Sequence, residues 1–153
     1  MQQECQARDY QQTYLFNGTI AQLREPTLRS RVLVVDDDDV VREQLVGLLK
    51  RSGYAVSGAS SGADAVQALK HGDCEILLTD WQMPDMTGLD LCRHVRLEHR
   101  TAYVYVMMLT VRDREQDMLV GLGAGADDYL IKGCSNEEIL ARMEVARNCT
   151  RWE

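Results

Sequence analysis

The fold is decided by one stretch of the sequence, RVLVVDDDDVVREQLVGLL at residues 31–49. Its first part, RVLVV at 31–35, is a short apolar, β-branched run that is typical of a buried strand. The i, i+4, i+7, i+8 spacing of an amphipathic helix follows at Val41, Leu45, Leu48 and Leu49. A strand that leads directly into such a helix predicts the first βα unit of an α/β domain.

The same alternation continues along the rest of the chain. Strand-like runs recur as YAVSGA at 54–59, EILLT at 75–79, YVYVMML at 103–109 and YLI at 129–131. Helical stretches separate them, and a capping box of Ser135 and Glu138 opens the last helix, whose apolar face is Ile139, Met143 and Ala146. Five strands alternating with five helices predict a parallel sheet covered on both faces.

The chain of 153 residues has room for one such domain and a modest extension. We assign the domain to residues 31–150. Residues 1–30 are glutamine-rich and weakly patterned, so we expect a flexible or docking arm there. Residues 147–153 are expected to form a tail after the last helix. No effector domain is recognised, so the chain is either a stand-alone unit or part of a longer protein.

The composition excludes several classes of protein. The formal net charge is −7, and all of it lies outside residues 1–30, which makes the domain a poor binder of nucleic acid or anionic membrane. No apolar run approaches the ~18 residues that span a bilayer, and the N-terminus lacks the build of a secretory signal. The five cysteines are scattered, without metal-ligand spacing to the three histidines, which favours reduced thiols in the cytoplasm.

Polar residues stand where the apolar runs stop. The first run ends in Asp36 to Asp39, the third in Asp80, the fourth in Thr110 and the fifth in Lys132. Parallel strands deliver such residues to one edge of the sheet, where ligands bind. Clustered carboxylates without His or Cys suit Mg²⁺, and a carboxylate beside that ion is a plausible nucleophile toward phosphorus. The group therefore indicates phosphoryl capture on an aspartate.

Four segments carry a resemblance to a known family: VLVVDDDDVVR at 32–42, LLTDWQMPDMTGLDL at 77–91, MMLT at 107–110 and GAGADDYLIK at 123–132. Over about residues 31–148 the chain resembles the receiver domain of two-component response regulators of the chemotaxis type. The resemblance implies a (βα)5, flavodoxin-like fold, with a doubly wound five-stranded parallel sheet in the order 2-1-3-4-5. It also implies that Asp80 accepts a phosphoryl group from a sensor histidine kinase or a histidine phosphotransfer protein. Beyond self-phosphorylation and self-dephosphorylation, no enzymatic turnover is expected.

The resemblance also implies a magnesium site. Asp37 and Asp80 are expected to bind Mg²⁺ directly, joined by the backbone carbonyl of Gln82, whereas Asp36 acts through a coordinated water.

Further residues are expected to bind the phosphoryl group and to relay its presence. Lys132 and Thr110 contact phosphoryl oxygens, and Tyr129 is the switch aromatic that turns inward as the threonine moves. Val111, Arg112 and Gln82 are expected to modulate the site. The readout surface is helix 4, strand 5 and helix 5, roughly residues 112–148, through which a homodimer is also expected. The output stays open: DNA binding and cyclic-dinucleotide synthesis by a further domain are two examples.

Two positions depart from the family pattern. Val111 replaces the small residue that usually follows the switch threonine, and we expect its branched side chain to narrow access to the phosphoryl site. Gly133 replaces the proline that usually follows the lysine, often with a cis bond. A glycine imposes no such constraint, because a cis bond outside proline costs about 2.5–4 kcal/mol. We therefore expect a less constrained loop after Lys132.

Two other functions remain open. VVDDDDVV also satisfies the D-x-D-x-[TV] signature of haloacid-dehalogenase-type phosphatases, with Asp36 as nucleophile and Asp38 as acid/base. Those enzymes need an acidic pair after their lysine, whereas here the pair Asp127–Asp128 precedes Lys132. The other alternative is a phosphorylation-independent interaction module on the receiver fold, supported by the departures at Val111 and Gly133.

Overall fold

The computed structural model describes residues 29–98, 102–111 and 115–151 of the chain. The strands are β1 (Arg31–Val35), β2 (Ala55–Ala59), β3 (Ile76–Asp80), β4 (Tyr105–Thr110) and β5 (Asp128–Ile131). The helices are α1 (Asp39–Arg51), α2 (Gly62–His71), α3 (Gly88–Leu97), α4 (Glu115–Gly123) and α5 (Asn136–Arg151). Strand and helix alternate throughout this part of the chain, as the sequence predicted.

All strand pairs are parallel, and the order across the sheet is β2-β1-β3-β4-β5. This confirms the predicted doubly wound, flavodoxin-like arrangement. Of the three inner strands, β3 and β4 are buried along their whole length, whereas the edge strand β2 is largely exposed. The functional consequence is that β1 and β3 are neighbours, so the residues at their carboxyl ends stand side by side.

The core has two parts, one on each face of the sheet, because successive side chains of a strand point to opposite faces. On one face, Val34 and Leu78 pack with α1 and α5, which contribute Leu49 and Met143 among others. On the other face, Leu77 and its neighbours pack with residues of α2 and α3. Helices on both faces explain why the inner strands read as continuous apolar runs.

Helix ends follow the sequence in most places, with one correction. Asp38 caps α1. At the start of α5 the Ser135 hydroxyl accepts the Glu138 N–H, in agreement with the predicted capping box. The tail predicted from residue 147 is wrong, because α5 continues to Arg151. The segment RNCTR holds no glycine or proline that would end a helix. The Thr150 hydroxyl also donates to the Arg147 carbonyl at 3.1 Å inside this last turn.

The arm predicted at residues 1–30 falls outside the described residues except for Arg29 and Ser30, so that prediction and the 31–150 boundary stay predictions. Among the helices of the described ranges, none combines the length and apolar character needed to cross a membrane.

Candidate functional site

Three carboxylates converge at the carboxyl end of the sheet. Asp36 follows β1 and Asp80 ends β3, and the pairing of Val35 with Thr79 sets the two aspartates side by side. Both are buried, and Asp36 has no exposed surface, whereas Asp37 is exposed. One carboxylate oxygen from each of the three residues lies within 4.8 Å of the others. This acidic cluster offers oxygen donors alone, the set that suits a hard divalent cation.

Lys132 reaches the two buried carboxylates from the end of β5. Its Nζ lies 2.9 Å from Oδ2 of Asp36 and 3.2 Å from Oδ1 of Asp80. The backbone N–H of the same residue donates to the Thr110 carbonyl at 2.7 Å, which ties β5 to β4 there. Burial works against the charged ammonium, but the hydrogen bonds and charges of Asp36 and Asp80 outweigh it and raise the pKa of Lys132.

The environment disfavours a negative charge on Asp80. Burial raises the pKa of the Asp80 carboxyl, and the nearby charge of Asp36 raises it further. Lys132 and the backbone N–H of Gln82 act in the opposite direction without cancelling the rise. An added cation would relieve the repulsion between the carboxylates, so these residues fit a bound metal.

Asp36 is held in place by its own neighbourhood. Its Oδ1 accepts the Asp38 N–H at 2.9 Å, and its backbone carbonyl accepts from Arg42 Nη1 at 2.7 Å. The Asp38 carboxylate turns away to cap α1, where it accepts the N–H groups of Val40 and Val41. Asp38 is therefore engaged as an N-cap, a usual role for an aspartate directly before a helix.

The expected switch residues Thr110 and Tyr129 lie on adjacent strands. Thr110 is buried at the end of β4, and Tyr129 is buried within β5. The Tyr129 ring lies 6.0 Å from the ring of Trp81, centroid to centroid. Its hydroxyl lies against Gly121 of α4, where a Cβ would come within 1.5 Å of it. Tyr129 thus takes an inward position that depends on a glycine in α4.

The positions expected to modulate the site are exposed where the structure describes them. The Val111 side chain is 68% exposed, the Gln82 side chain is exposed, and Arg112 lies outside the described residues. After Lys132 the chain turns at Gly133, whose φ of +90° is one that a glycine adopts without strain. The Cys134 N–H donates to the Ile131 carbonyl at 3.1 Å and closes this turn. In the described part of the chain no peptide bond is cis.

The sequence interpretation missed three features of the loop after Asp80. Trp81 packs on Tyr129, and Asp85 binds the start of α2. Gly88 approaches Asp80 so closely that a Cβ there would lie 2.2 Å from the Asp80 carbonyl oxygen. Gly88 lies in the segment quoted at 77–91, but no close approach was inferred for it, although a glycine at the first position of a helix is a usable signal of one. Nothing in the sequence around Trp81 and Asp85 indicates the contacts that their side chains make.

Residues 32–144 match the family described as the response regulator receiver domain. Among curated relatives, the transcriptional regulatory protein GltR of Pseudomonas aeruginosa is 42% identical over 114 residues, covering 74% of this chain and 47% of its own length. The response regulator MprA of Mycobacterium ulcerans is 40% identical over 123 residues, covering 80% of this chain and 52% of its own length. This chain thus spans about half the length of these relatives.

Solved structures give the same result for the fold. The chemotaxis response regulator CheY4 of Vibrio cholerae superposes with a TM-score of 0.73 at 26% identity, over 77% of this chain and 98% of its own. The receiver domain of Francisella response regulator 1452 superposes with a TM-score of 0.74 at 26% identity, over 80% of this chain and 99% of its own. The match therefore covers both of these chains almost completely.

Proposed function

Because this chain belongs to the response regulator receiver family of two-component signalling, we propose that Asp80 is its phosphoacceptor. A sensor histidine kinase or a histidine phosphotransfer protein is the donor. One observation carries the proposal: two carboxylates and the Lys132 ammonium converge on the Asp80 carboxylate, which ends a buried strand. The nucleophilic carboxylate of Asp80 thus lies between carboxylates that can bind a cation and an ammonium group that can bind the anionic phosphoryl group.

The transfer needs positioning and charge neutralisation more than covalent chemistry from the protein. An Asp80 oxygen attacks the phosphorus of the phosphohistidine, and a new O–P bond forms. The N–P bond breaks, and its electron pair leaves with the imidazole. Lys132 then pairs with a phosphoryl oxygen, and the Thr110 hydroxyl donates to another.

We propose Mg²⁺ as the cofactor, held directly by Asp37, Asp80 and the Gln82 backbone carbonyl, with Asp36 acting through a water. When bound, this ion supplies positive charge that offsets both the carboxylate repulsion and the charge of the phosphoryl group. The oxygen-only donor set and the raised pKa of Asp80 support a cation at this position. Lys132 keeps its contact with Asp36 and serves as the second positive group.

The phosphoryl group acts as a switch by favouring one of two states of the domain. We propose that Thr110 moves toward it and that the inward position of Tyr129 is stabilised. The readout surface is the face formed by α4, β5 and α5. Exposed apolar side chains mark that face: Leu119, Val120, Leu122, Ile131 and Val145. We propose that a homodimer forms through it on phosphorylation.

We propose that the output of this receiver is the control of transcription. The reason is that GltR, which is 42% identical, is named as a transcriptional regulatory protein. We propose a cytoplasmic location. In support, none of the cysteines in the described ranges forms a disulfide.

Intact mass after incubation with Mg²⁺ and acetyl phosphate tests the proposal. We expect one added phosphoryl group on the wild type, and none on Asp80→Asn or when the metal is chelated. No adduct at short quench times would favour the phosphorylation-independent module. An adduct on Asp80→Asn, together with sustained turnover of a simple phosphate ester, would favour the phosphatase alternative. Against that alternative, Asp38 caps a helix, and the pair Asp127–Asp128 is bound by Arg96 and Arg142.

A further inference from the structure

The loop between β3 and α3, residues 81–87, carries a group on which the proposed metal site depends, the backbone carbonyl of Gln82. The ends of the loop are fixed by backbone hydrogen bonds. The Trp81 N–H donates to the Leu109 carbonyl at 2.9 Å, and the Gly88 N–H donates to the Trp81 carbonyl at 2.8 Å. Between these ends the loop runs outside the sheet. The Gln82 N–H bonds the Asp80 carboxyl, and the direction of the Gln82 carbonyl depends also on what the neighbouring loop residues contact.

Asp85 fastens the middle of this loop to a different element. Its Oδ1 accepts the Gly62 N–H at 3.1 Å, and its Oδ2 accepts the Ala63 N–H at 2.9 Å. These are the first two residues of α2, which lie 23 and 22 positions earlier in the chain. The first N–H groups of a helix have no partner within it, and a carboxylate there is also favoured by the helix dipole.

A third N–H group at the start of α2, that of Asp64, has a different acceptor. The Ser61 hydroxyl accepts the Asp64 N–H at 3.1 Å, as a local N-cap. Two different groups therefore cap α2, and only Asp85 belongs to the loop that follows the phosphoacceptor. This division provides a matched pair of caps on one helix.

Packing and charge reinforce the contact between loop and helix. Met86 lies so close over Gly62 that a Cβ there would come within 2.1 Å of Met86 Cγ. Met83 is buried in the core on the same face of the sheet. The hydrogen bonds from Ala63 and Gly62 hold the pKa of Asp85 below its usual value, so the carboxylate stays ionised at neutral pH. The anchor is itself firm, because Ala65 and Leu69 of α2 are buried.

We infer that Asp85 is a positioning residue for the cation site: it uses the start of α2 as a fixed anchor and holds the loop so that the Gln82 carbonyl faces the acidic cluster. This inference rests on the proposed function, because it assigns a role to the loop in binding Mg²⁺. Asp85 acts through the backbone of the loop and needs no contact with the ion.

Calorimetric titration of the full chain with Mg²⁺ tests the inference without requiring phosphorylation. We compare the wild type with Asp85→Ala, Asp85→Asn and Ser61→Ala. Asp85→Ala loses both hydrogen bonds, and we expect its Kd to rise about tenfold, the usual effect of removing a supporting group around a metal site. Asp85→Asn keeps one acceptor oxygen, so its Kd should lie in between. Ser61→Ala removes a cap from the same helix but leaves the loop contact, so its Kd should match the wild type.

Phosphorylation by acetyl phosphate provides a second readout. In Asp85→Ala the Mg²⁺ concentration for half-maximal rate should rise by the same factor as the Kd, while the rate at saturating Mg²⁺ stays the same. A merely structural role would instead lower the rate at all Mg²⁺ concentrations. Because Asp85 is exposed, both of its variants are expected to fold, which thermal melts followed by circular dichroism will verify.

Failure of this inference is distinguishable from failure of the proposed function. Equal Kd values for wild type and Asp85→Ala, or an equal rise in Ser61→Ala, would overturn the role of Asp85 and leave the phosphoacceptor untouched. A wild type that binds Mg²⁺ but takes no phosphoryl group would overturn the proposed function, while the Kd comparison would still decide for or against Asp85. A wild type that does not bind Mg²⁺ would overturn both.

Discussion

The Asp80 carboxylate is buried beside that of Asp36, and the Lys132 ammonium lies within 3.2 Å of both. Because the pKa of Asp80 is raised in the folded chain, the fold binds that proton more tightly than the unfolded chain does. Stability therefore falls as the pH rises from 3.8, the usual pKa of an aspartate, through the raised pKa of Asp80, and the loss is complete above that raised value. The residue best suited to accept a phosphoryl group destabilises the fold without a cation.

We expect Asp80→Asn to be more stable than the wild type at pH 7 in the absence of Mg²⁺, because burial and the charge of Asp36 raise the pKa of the Asp80 carboxyl and disfavour its ionised form. The neutral amide removes a buried charge and its repulsion with Asp36. Urea unfolding measures this difference, and added Mg²⁺ should reduce it by stabilising the wild type alone. A less stable Asp80→Asn would contradict this account, because it would mean that the pair with Lys132 outweighs burial and repulsion.

The side chain of Val111 leads to a prediction about the rates of phosphorylation and dephosphorylation. Its side chain is 68% exposed, so Val111→Ala should change the free energy of unfolding by no more than about 0.5 kcal/mol. If the branched side chain narrows access to Asp80, the smaller one should speed both phosphoryl capture and phosphoryl loss. The rates of phosphorylation by acetyl phosphate and of decay after its removal measure this. Unchanged rates would remove Val111 as a modulator.

Among the elements, the junction of β3 and α3 bears most directly on the site. Helix α3 begins at Gly88 with a capping box of Thr87 and Asp90, and its first residue lies against the Asp80 backbone. The helix can approach the end of the strand this closely because Gly88 has no side chain. The approach fixes the backbone of Asp80, the proposed phosphoacceptor.

Gly88→Ala should therefore be destabilising and should impair phosphorylation. A Cβ 2.2 Å from the Asp80 carbonyl oxygen can only be accommodated by moving backbone, and overpacking of this kind costs about 1–3 kcal/mol. Gly123→Ala in α4 is the matched control, since nothing lies within 4 Å of a Cβ there. The control should be neutral or slightly stabilising, because alanine favours a helix. Thermal melts and phosphorylation rates of both variants test the pair, and equal behaviour would refute the close-approach explanation.

On the scale of the whole molecule, the proposed phosphorylation site and the proposed readout face lie on different elements. The acidic cluster lies at the carboxyl edge of the sheet, and α4, β5 and α5 present exposed apolar side chains on one side of the domain. Exposed apolar side chains that lie together on a surface are typical of interaction sites. Tyr129 connects the two regions, because it belongs to β5 and contacts both Trp81, next to Asp80, and Gly121 of α4.

Leu122→Glu should abolish the proposed phosphorylation-dependent dimer. Leu122 is 48% exposed on α4, so the change should leave stability within about 0.5 kcal/mol of the wild type. Leu97→Glu is the control: Leu97 is 81% exposed at the end of α3, which is not one of the three elements of the proposed interface. Light scattering with Mg²⁺ and acetyl phosphate present throughout measures the mass. A Leu122→Glu protein that still dimerises would exclude this face as the interface.

Much of the fold followed from local pattern. The β-branched runs and the helical spacing that starts at Val41 predict the alternation of elements, because side-chain periodicity is set by backbone geometry within a few residues. The meeting of Asp36, Asp80 and Lys132 was also predictable, since parallel strands bring their carboxyl ends to one edge. Strand order entered through the family resemblance, and the structure confirms it.

Contacts between residues far apart in the chain were decided only by the tertiary structure. Asp85 binds Gly62 across 23 positions, and the side chain of Tyr129 lies on Trp81 and Gly121. The same holds for Asp127: it accepts from Arg96 at 2.8 Å and from the Val106 N–H, which makes it a structural group at the amino end of β4. By itself, the sequence determines the features that depend on residues close together in the chain: the apolar periodicity of helices and strands, the helix caps and the ends of the strands. The partner of each exposed carboxylate or aromatic ring depends on how helices pack on the sheet, and no local pattern records that.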